Sequence, residues 1–295
     1  MKLAIAPGKY VIATSGGVDS MVLLHLLSLV PNIELIVAHY DHGIRLDSGV
    51  DREFVRQMAE CYALPFESHE GRLGAWASEA TARTARYQFL RRVQGQYQAT
   101  AVITAHHQDD VLETAILNMS RGTGRRGLTA LDTSTDLARP LLAVPKAELL
   151  AYARKLDLQW REDSTNADQH YLRNYIRHSV LPRFSTAERQ QLLELINHLR
   201  AVNSELDREL SAALVELMHE SQLDRRALAA LPVSLVKELL TVWWRANGLY
   251  SYESKTLTRA VKDIATGQTG AIIPLKKGYF MQLNRSFLAL SHNER

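Results

Sequence analysis

Residues 10–20 read Tyr10-Val11-Ile12-Ala13-Thr14-Ser15-Gly16-Gly17-Val18-Asp19-Ser20. A short apolar run, then a glycine pair, then apolar residues at helical spacing predict a strand, a turn and a helix. The pattern continues, with expected strands at 34–39, 65–68 and 101–105 and expected helices at 48–62, 73–93 and 109–119. This alternation predicts an α/β domain, in which a twisted parallel sheet carries helices on both faces.

The second half of the chain follows a different pattern. Residues 186–219 predict one long linker helix, with Leu192, Leu199 and Leu206 among its apolar positions. After it, helical segments and a hairpin that turns at Lys277 predict a small, mainly helical domain. We therefore expect a catalytic domain over residues 1–185, the linker helix, and a C-terminal domain over residues 220–295.

Composition limits the classes of protein that fit. The 295 residues carry a formal net charge of +3, and no stretch approaches the roughly 18 apolar residues of a membrane-spanning helix. The apolar run within residues 1–8 is too short for a secretory signal. A single cysteine, Cys61, offers no pair for a disulfide, a metal or a sulfur carrier. We expect a cytoplasmic protein without membrane association.

The turn at residues 15–20 has the composition of a phosphate-binding loop. Its glycines let the backbone approach an anion, the first amides of the helix point at it, and the hydroxyls of Ser15 and Ser20 add donors. Asp19 would repel a phosphate unless Mg²⁺ lies between them. A helix-capping turn is the alternative. The sequence Gly-x-x-x-x-Gly-Lys-[Ser/Thr] does not occur, so P-loop cleavage of the terminal phosphate has no support.

Other charged residues lie near the expected strand ends and helix starts. His39 ends the second strand and is expected beside a nucleotide. Asp110 and Glu113 are three residues apart near a helix start and form one acidic edge, although acids there also complement the helix dipole. Arg86 has no acid one turn away and is able to reach a phosphate. Arg83 either pairs with Glu79 or binds an anion.

Further basic residues follow in the chain. Arg121, Arg125 and Arg126 are interspersed with glycines, which predicts a clamp for phosphate or RNA backbone, or else a solvated loop. Arg173 and Arg177 share one face of an expected helix. Zinc at the histidines and acids of residues 106–110 is disfavoured, because the strand-to-helix junction points them in different directions.

The order of these motifs resembles the tRNA(Ile)-lysidine synthase family of the PP-loop ATP pyrophosphatases. The matching segments are 15–20, 41–45, 79–87, 105–114, 121–124, 139–142, 163–166 and 173–177. Members of that family use ATP to adenylate carbon 2 of the wobble cytidine in a CAU anticodon. They then join the ε-amine of free lysine to that carbon.

The resemblance implies a role for each matched residue. The residues implied to bind ATP are Ser15, Gly16, Gly17, Val18, Asp19, Ser20, His39 and Arg173, and Asp19 would also hold Mg²⁺. The lysine would be bound by Asp110 and Glu113, and Arg86 would act at the reacting centre, so the catalytic residues would be Asp19, Arg86, Asp110 and Glu113. The residues implied to bind tRNA(Ile) are Arg121, Arg125, Arg126 and Arg177, together with the domain at 220–295. The oligomeric state stays open, with a homodimer among the options.

Three other classes remain open from the sequence. A tRNA thiolase of the same superfamily would also adenylate a base, but thiolation normally needs several cysteines, and Cys61 is alone. A synthetase that forms an amide on a small metabolite is the second, and a non-catalytic RNA-binding module is the third. Release of pyrophosphate only in the presence of tRNA would separate these classes.

Overall fold

A computed structural model gives the three-dimensional structure of the chain. It describes residues 1–43, 48–71, 74, 79–162, 172–250, 252–276 and 278–293. The motif at 163–166, the end of the motif at 41–45, the expected start of a helix at 73 and the turn residue Lys277 lie outside the described residues. The chain divides into two compact units, Met1–Asn197 and His198–Arg295.

The first unit is built on a parallel sheet, which confirms the predicted α/β architecture. Its strands are β1 (Gly8–Ala13), β2 (Ile33–Asp41), β3 (Phe66–Glu70), β4 (Ala101–Ile103) and β5 (Leu137–Ala138). They lie in the order β3-β2-β1-β4-β5, and each neighbouring pair is parallel. The short β5 was not predicted, because two residues carry no pattern that distinguishes a strand from a loop.

Helices connect these strands, and further helices follow the last strand along the chain. They are α1 (Val18–Ser28), α2 (Ser48–Cys61), α3 (Glu79–Tyr97), α4 (Gln108–Ser120), α5 (Arg125–Leu128), α6 (Lys146–Lys155) and α7 (Leu172–Tyr175). A π-helical turn, Ile176–Val180, and a 3₁₀ turn, Leu181–Arg183, follow α7.

The alternation of side chains along β1 explains why helices cover both faces of the sheet. Ile12 packs in one core with residues of α1, α2 and α6, while its neighbour Val11 packs in another with Phe89 and Val93 of α3. Successive side chains of a strand point to opposite faces, so the apolar run from Tyr10 to Ala13 needs cover on both sides. The expected two-faced arrangement is confirmed.

The division between the units falls inside α8 (Thr186–Glu216), which forms over nearly all of the predicted range 186–219. The second unit contains α9 (Arg225–Ala229), α10 (Val233–Ala246) and α11 (Ser254–Thr266). Its strands are β6 (Met218–His219), β7 (Gln222–Asp224), β8 (Ile272–Pro274), β9 (Tyr279–Leu283) and β10 (Phe287–His292).

The predicted hairpin of the second unit is present as the antiparallel pair β8 and β9. It belongs to a five-stranded sheet in the order β6-β7-β10-β9-β8, of which the sequence had indicated only the hairpin. Trp243 and Trp244 of α10 are fully buried in the core of this unit. None of the described helices has the length and apolar composition needed to cross a bilayer.

Candidate functional site

The predicted phosphate loop lies where the order of the sheet reverses. Strand β1 pairs with β2 on one side and with β4 on the other, so the loops after β1 and β4 leave the same edge in opposite directions. Crevices of this kind, at the carboxyl ends of parallel strands, are where open α/β sheets bind ligands. The loop at 15–20 and the histidines that follow β4 therefore belong to one site.

The loop itself is held by short local hydrogen bonds. Gly16 has a φ of +89°, a left-handed conformation that favours glycine. The Ser20 hydroxyl donates to the Gly17 carbonyl at 2.8 Å, and the hydroxyls of Ser15 and Ser20 lie 3.3 Å apart. Helix α1 begins at Val18 after an extended Gly17, which has no side chain to cap the helix. The free amides at its start therefore remain suited to an anion.

Asp19 is held by a lysine that the sequence had not indicated. Lys146 Nζ lies 2.5 Å and 2.7 Å from the two carboxylate oxygens of Asp19, and His107 Nε2 lies 3.6 Å from Oδ2. Burial raises the pKa of the Asp19 carboxyl, but the hydrogen bond and charge of His107 and the charge of Lys146 lower it by more. Asp19 is therefore an ionised carboxylate beside the phosphate loop.

The start of α6 positions Lys146. Its backbone amide donates to Asp109 Oδ1 at 3.1 Å, so a carboxylate from the first turn of α4 caps α6. Pro145 is the N-cap residue of α6 and has an extended backbone, so Lys146 is the first residue of the helix. A lysine at the first turn of a helix is unfavourable to the helix dipole, and the Asp19 carboxylate offsets that charge.

His107 connects the phosphate loop to the acid pair. Its Nε2 atom lies 3.6 Å from Asp19 Oδ2 and 3.5 Å from Asp110 Oδ2, and its backbone amide donates to Asp110 Oδ2 at 2.9 Å. Burial lowers the pKa of His107, but the hydrogen bond to Asp19 and the charges of both carboxylates raise it by more. The imidazole is thereby favoured in its protonated, cationic form between two anions.

The predicted acid pair is not an open acidic edge, because two arginines neutralise it. Glu113 is fully buried, and its oxygens lie 2.6 Å from Arg177 Nε and 3.1 Å from Arg173 Nε. Asp110 Oδ1 lies farther away, 3.3 Å from Arg177 Nη2 and 3.7 Å from Arg173 Nη2. The structure places these arginines on the acids, so the roles proposed for them at ATP and at tRNA remain predictions.

Arg86 lies in a group of cationic side chains on α3. Arg83 Cζ and Arg86 Cζ lie 4.9 Å and 5.5 Å from the centroid of the Tyr87 ring. His106, 2.8 Å from the Thr104 hydroxyl, faces the same group. Burial lowers the pKa of His106 well below its ordinary value, and the nearby guanidinium groups of Arg139, Arg86, Arg83 and Arg173 lower it further. The two pKa shifts therefore run in opposite directions, and they favour the neutral imidazole at His106 and the cationic imidazole at His107.

The remaining predicted residues are placed as follows. His39 is buried at the end of β2, where its Nδ1–H donates to the Thr14 carbonyl at 2.9 Å. Burial lowers the pKa of His39, which favours the neutral imidazole beside the phosphate loop. Arg121 is exposed after α4, and Arg125 and Arg126 open the short helix α5. Arg121 therefore lies in the turn after α4, whereas Arg125 and Arg126, which were expected in a loop, lie in a short helix.

Comparison with known proteins assigns the first unit to a known domain family. The family model of the PP-loop domain matches residues 4–184. A tRNA(Ile)-lysidine synthase from Nitrosomonas europaea is 35% identical over 258 residues, which cover 81% of this chain and 56% of the relative. The corresponding protein from Synechococcus sp. is 34% identical, over 79% of this chain and 75% of the relative. The protein from Thermus thermophilus is 40% identical, and the match covers 63% of this chain and 39% of that relative.

This chain spans about half the length of the first of these relatives and less of several others. Among solved structures, the U34-tRNA thiolase NcsA from Methanococcus maripaludis, with its [4Fe-4S] cluster, superposes with a TM-score of 0.52. The two sequences are 19% identical, and the match covers 66% of this chain and 73% of the thiolase. At that identity the likeness concerns the fold.

Proposed function

The chain belongs to the tRNA(Ile)-lysidine synthase family, and we propose that it carries out that family's two-step reaction. In the first step, ATP adenylates carbon 2 of the wobble cytidine in the CAU anticodon of tRNA(Ile), and pyrophosphate leaves. In the second, the ε-amine of free lysine attacks that carbon, and AMP leaves. The observation that carries the proposal is the position of His107, whose Nε2 atom lies 3.6 Å from Asp19 of the phosphate loop and 3.5 Å from Asp110 of the acid pair.

Asp19 and Lys146 fit a site for Mg²⁺ and polyphosphate. Mg²⁺ commonly takes one or two protein carboxylates and completes its shell with substrate phosphates and water, and the Asp19 side chain is 27% exposed and ionised. When bound, the metal supplies positive charge to the phosphate oxygens. Lys146 already lies on Asp19 and is placed to add a second cation there. His39 and the loop at 15–20 would hold the rest of the nucleotide.

The two acids divide the work of the lysine site in this proposal. Asp110 is the acid with the longer ion pairs and the slightly exposed carboxylate, so it would receive the ammonium of free lysine. Glu113 is fully buried between the two guanidinium groups, so it would position Arg173 and Arg177 rather than contact the substrate. Attack requires a neutral amine, and the departing phosphate or Asp110 must then take its proton.

The tRNA would be held outside this crevice. We assign contacts with its backbone to Arg121, Arg125 and Arg126, and we assign a tRNA-binding role to the unit His198–Arg295. The thiolase reading is the competing function, because a thiolase shares the fold. Thiolation normally needs several cysteines, whereas the sequence has only Cys61, which is exposed.

The test incubates the protein with ATP, Mg²⁺, labelled lysine and bulk bacterial tRNA, followed by nucleoside analysis of the digested tRNA. We expect pyrophosphate release that depends on tRNA and label in one modified cytidine. A tRNA(Ile) transcript with UAU in place of CAU is the control and should give neither. Pyrophosphate release without tRNA, or release with tRNA but no lysine incorporation at any concentration, would contradict the proposal.

A further inference from the structure

Arg139 is a buried arginine with no visible counter-charge. It follows β5, and only 6% of its surface is exposed. Its Nε atom has no hydrogen-bond partner, and no carboxylate among the described residues lies within ion-pair distance of its guanidinium. An unpaired buried charge is costly, and arginines in protein interiors are normally paired. Arg139 therefore requires an explanation that the sequence analysis did not provide.

A second buried arginine illustrates how a purely structural one is satisfied. Arg225, in the other unit, is 8% exposed, and its guanidinium donates to several backbone carbonyls around the end of α11. The acceptors and distances are Ile264 at 2.9 Å, Asn284 at 3.1 Å, Asp263 at 3.3 Å and Gly267 at 2.6 Å. Within the part of the chain that the structure describes, Arg139 has no comparable set of acceptors, so a capping role of this kind does not account for it.

The surroundings of Arg139 add positive charge rather than remove it. Arg83 and Arg86 lie over the ring of Tyr87, and the buried Tyr87 hydroxyl lies beside Arg139 without a well-aligned hydrogen bond to any of the described residues. Burial raises the pKa of Tyr87, but the charges of Arg83, Arg86 and Arg139, together with hydrogen bonding by Arg139, lower it by more. Burial, and then the charges of these guanidinium groups, lower the pKa of His106 on the same side well below its ordinary value. An anion that entered here would meet several donors and a strongly positive potential.

We propose that Arg139 and the Tyr87 hydroxyl, flanked by Arg83 and Arg86, form a preformed site for an oxyanion. Two ligands of the reaction carry an oxyanion. The amino acid has its α-carboxylate, and the nucleotide has its phosphoryl groups. Arg173 lies close enough to lower the pKa of His106 and also pairs with Glu113, so the cationic group adjoins the acid pair. A zwitterionic amino acid would fit both groups, because its carboxylate would meet the cationic side chains and its ammonium would meet the acid pair. The source of the oxyanion rests on the proposed function, but the existence of the site does not.

The first experiment measures anion binding without any reaction. Thermal unfolding of the wild type, of Arg139→Met and of the exposed control Arg154→Met is followed with no ligand, with pyrophosphate, with AMP, with lysine and with lysinamide. We expect Arg139→Met to be at least as stable as the wild type without ligand, because it removes an unpaired buried charge. We expect an oxyanion ligand to raise the Tm of the wild type and of Arg154→Met but not of Arg139→Met.

The second experiment identifies the source. If the site takes the carboxylate, the wild type discriminates lysine from lysinamide by roughly tenfold to a hundredfold in kcat/KM, and Arg139→Met loses that discrimination. If it takes the phosphoryl group, the ratio is unchanged and stabilisation by pyrophosphate or AMP is lost instead. The thermal measurement remains informative even if the chain proves inactive toward lysine.

One result overturns the site. It is a folded Arg139→Met variant that is stabilised by every ligand as strongly as the wild type is, and that keeps the wild-type preference for lysine over lysinamide. If Arg139→Met does not fold, Tyr87→Phe carries the same test, because it removes only the hydroxyl. Unchanged stabilisation by all four ligands in that variant likewise contradicts the proposal.

Discussion

The Asp19 carboxylate accepts hydrogen bonds from the Lys146 ammonium and lies 3.6 Å from His107 Nε2, so its charge organises the phosphate loop. We predict that Asp19→Ala leaves the chain folded but removes pyrophosphate release, because Mg²⁺ and Lys146 lose their shared carboxylate. Circular dichroism checks the fold, and release is measured with ATP and tRNA present. The exposed Asp132→Ala is the matched control. Near wild-type release from the folded Asp19 variant would disprove the role.

Asp110 is the residue at which the two half-reactions are expected to separate. Removing one partner from a desolvated charge pair costs about 2–5 kcal/mol, which corresponds to roughly thirtyfold to several thousandfold in rate or affinity. Asp110→Asn should therefore cripple lysine transfer and spare pyrophosphate release. Single-turnover release and labelled-lysine incorporation, over a wide range of lysine concentrations, measure the two steps. If pyrophosphate release and lysine incorporation fell equally, Asp110 would act on the nucleotide rather than on lysine.

Glu113 is predicted to act on stability as well as on lysine transfer. Glu113→Gln leaves two guanidinium groups facing a neutral amide in the interior, and broken buried pairs of this kind cost about 3–5 kcal/mol of unfolding free energy. Denaturant unfolding should show a lower midpoint than for Asp110→Asn, whose ion pairs are longer. A midpoint equal to that of the wild type would mean that the guanidinium groups turn to other acceptors.

The neighbouring histidines are expected to give opposite pH dependences. The lowered pKa of His106 means that the unfolded chain binds its proton first, so stability is lost as the pH falls below 6.5. The raised pKa of His107 gives stability that is fully present below pH 6.5 and is lost as the pH rises through the folded-state pKa. We predict that His106→Gln removes the loss of stability at low pH. His107→Gln should remove the loss of stability at high pH. Unfolding free energies between about pH 5 and 9 measure both, and variants with the same pH profile would contradict the assignment.

At the scale of an element, the turn from α4 into α5 presents Arg125 and Arg126 on one short helix. Each phosphate contact releases counterions, so RNA affinity falls linearly with the logarithm of salt concentration. We predict that Arg125→Ala combined with Arg126→Ala flattens that slope by about 1 to 2. Filter binding at several salt concentrations measures it, with Arg154→Ala combined with Lys155→Ala as the control. An unchanged slope would place the RNA backbone elsewhere.

Elements also differ in how far the sequence predicted them. Helix α8 and strands β1 and β2 are long and regularly patterned, and their predicted ranges nearly match the observed ones. Strand β5 and the short strands β6 and β7 were not predicted, because hydrogen bonds to neighbouring strands define them, and a few residues carry no period. Strand β10 was also missed, although Leu288 and Leu290 alternate with polar or small residues there.

At the scale of the whole molecule, the parallel sheet brings loops from distant parts of the chain to one edge. Asp19 and Lys146 are 127 positions apart, and Glu113 and Arg177 are 64 apart. Neither pairing follows from local patterns, since each depends on which strand neighbours which. The order β3-β2-β1-β4-β5 places the loops after β1 and β4 side by side, and that adjacency assembles the site.

The sequence by itself determined the α/β class, the phosphate loop and the family, because these depend on local periodicity and on motifs of a few adjacent residues. Only the tertiary structure decided that Lys146 holds Asp19, that Arg173 and Arg177 neutralise the acid pair, and that Arg139 is buried without a counter-charge among the described residues. The reason is physical. The charge state of a side chain and its pairing depend on burial and on neighbours within a few ångströms, and folding brings those neighbours from far along the chain.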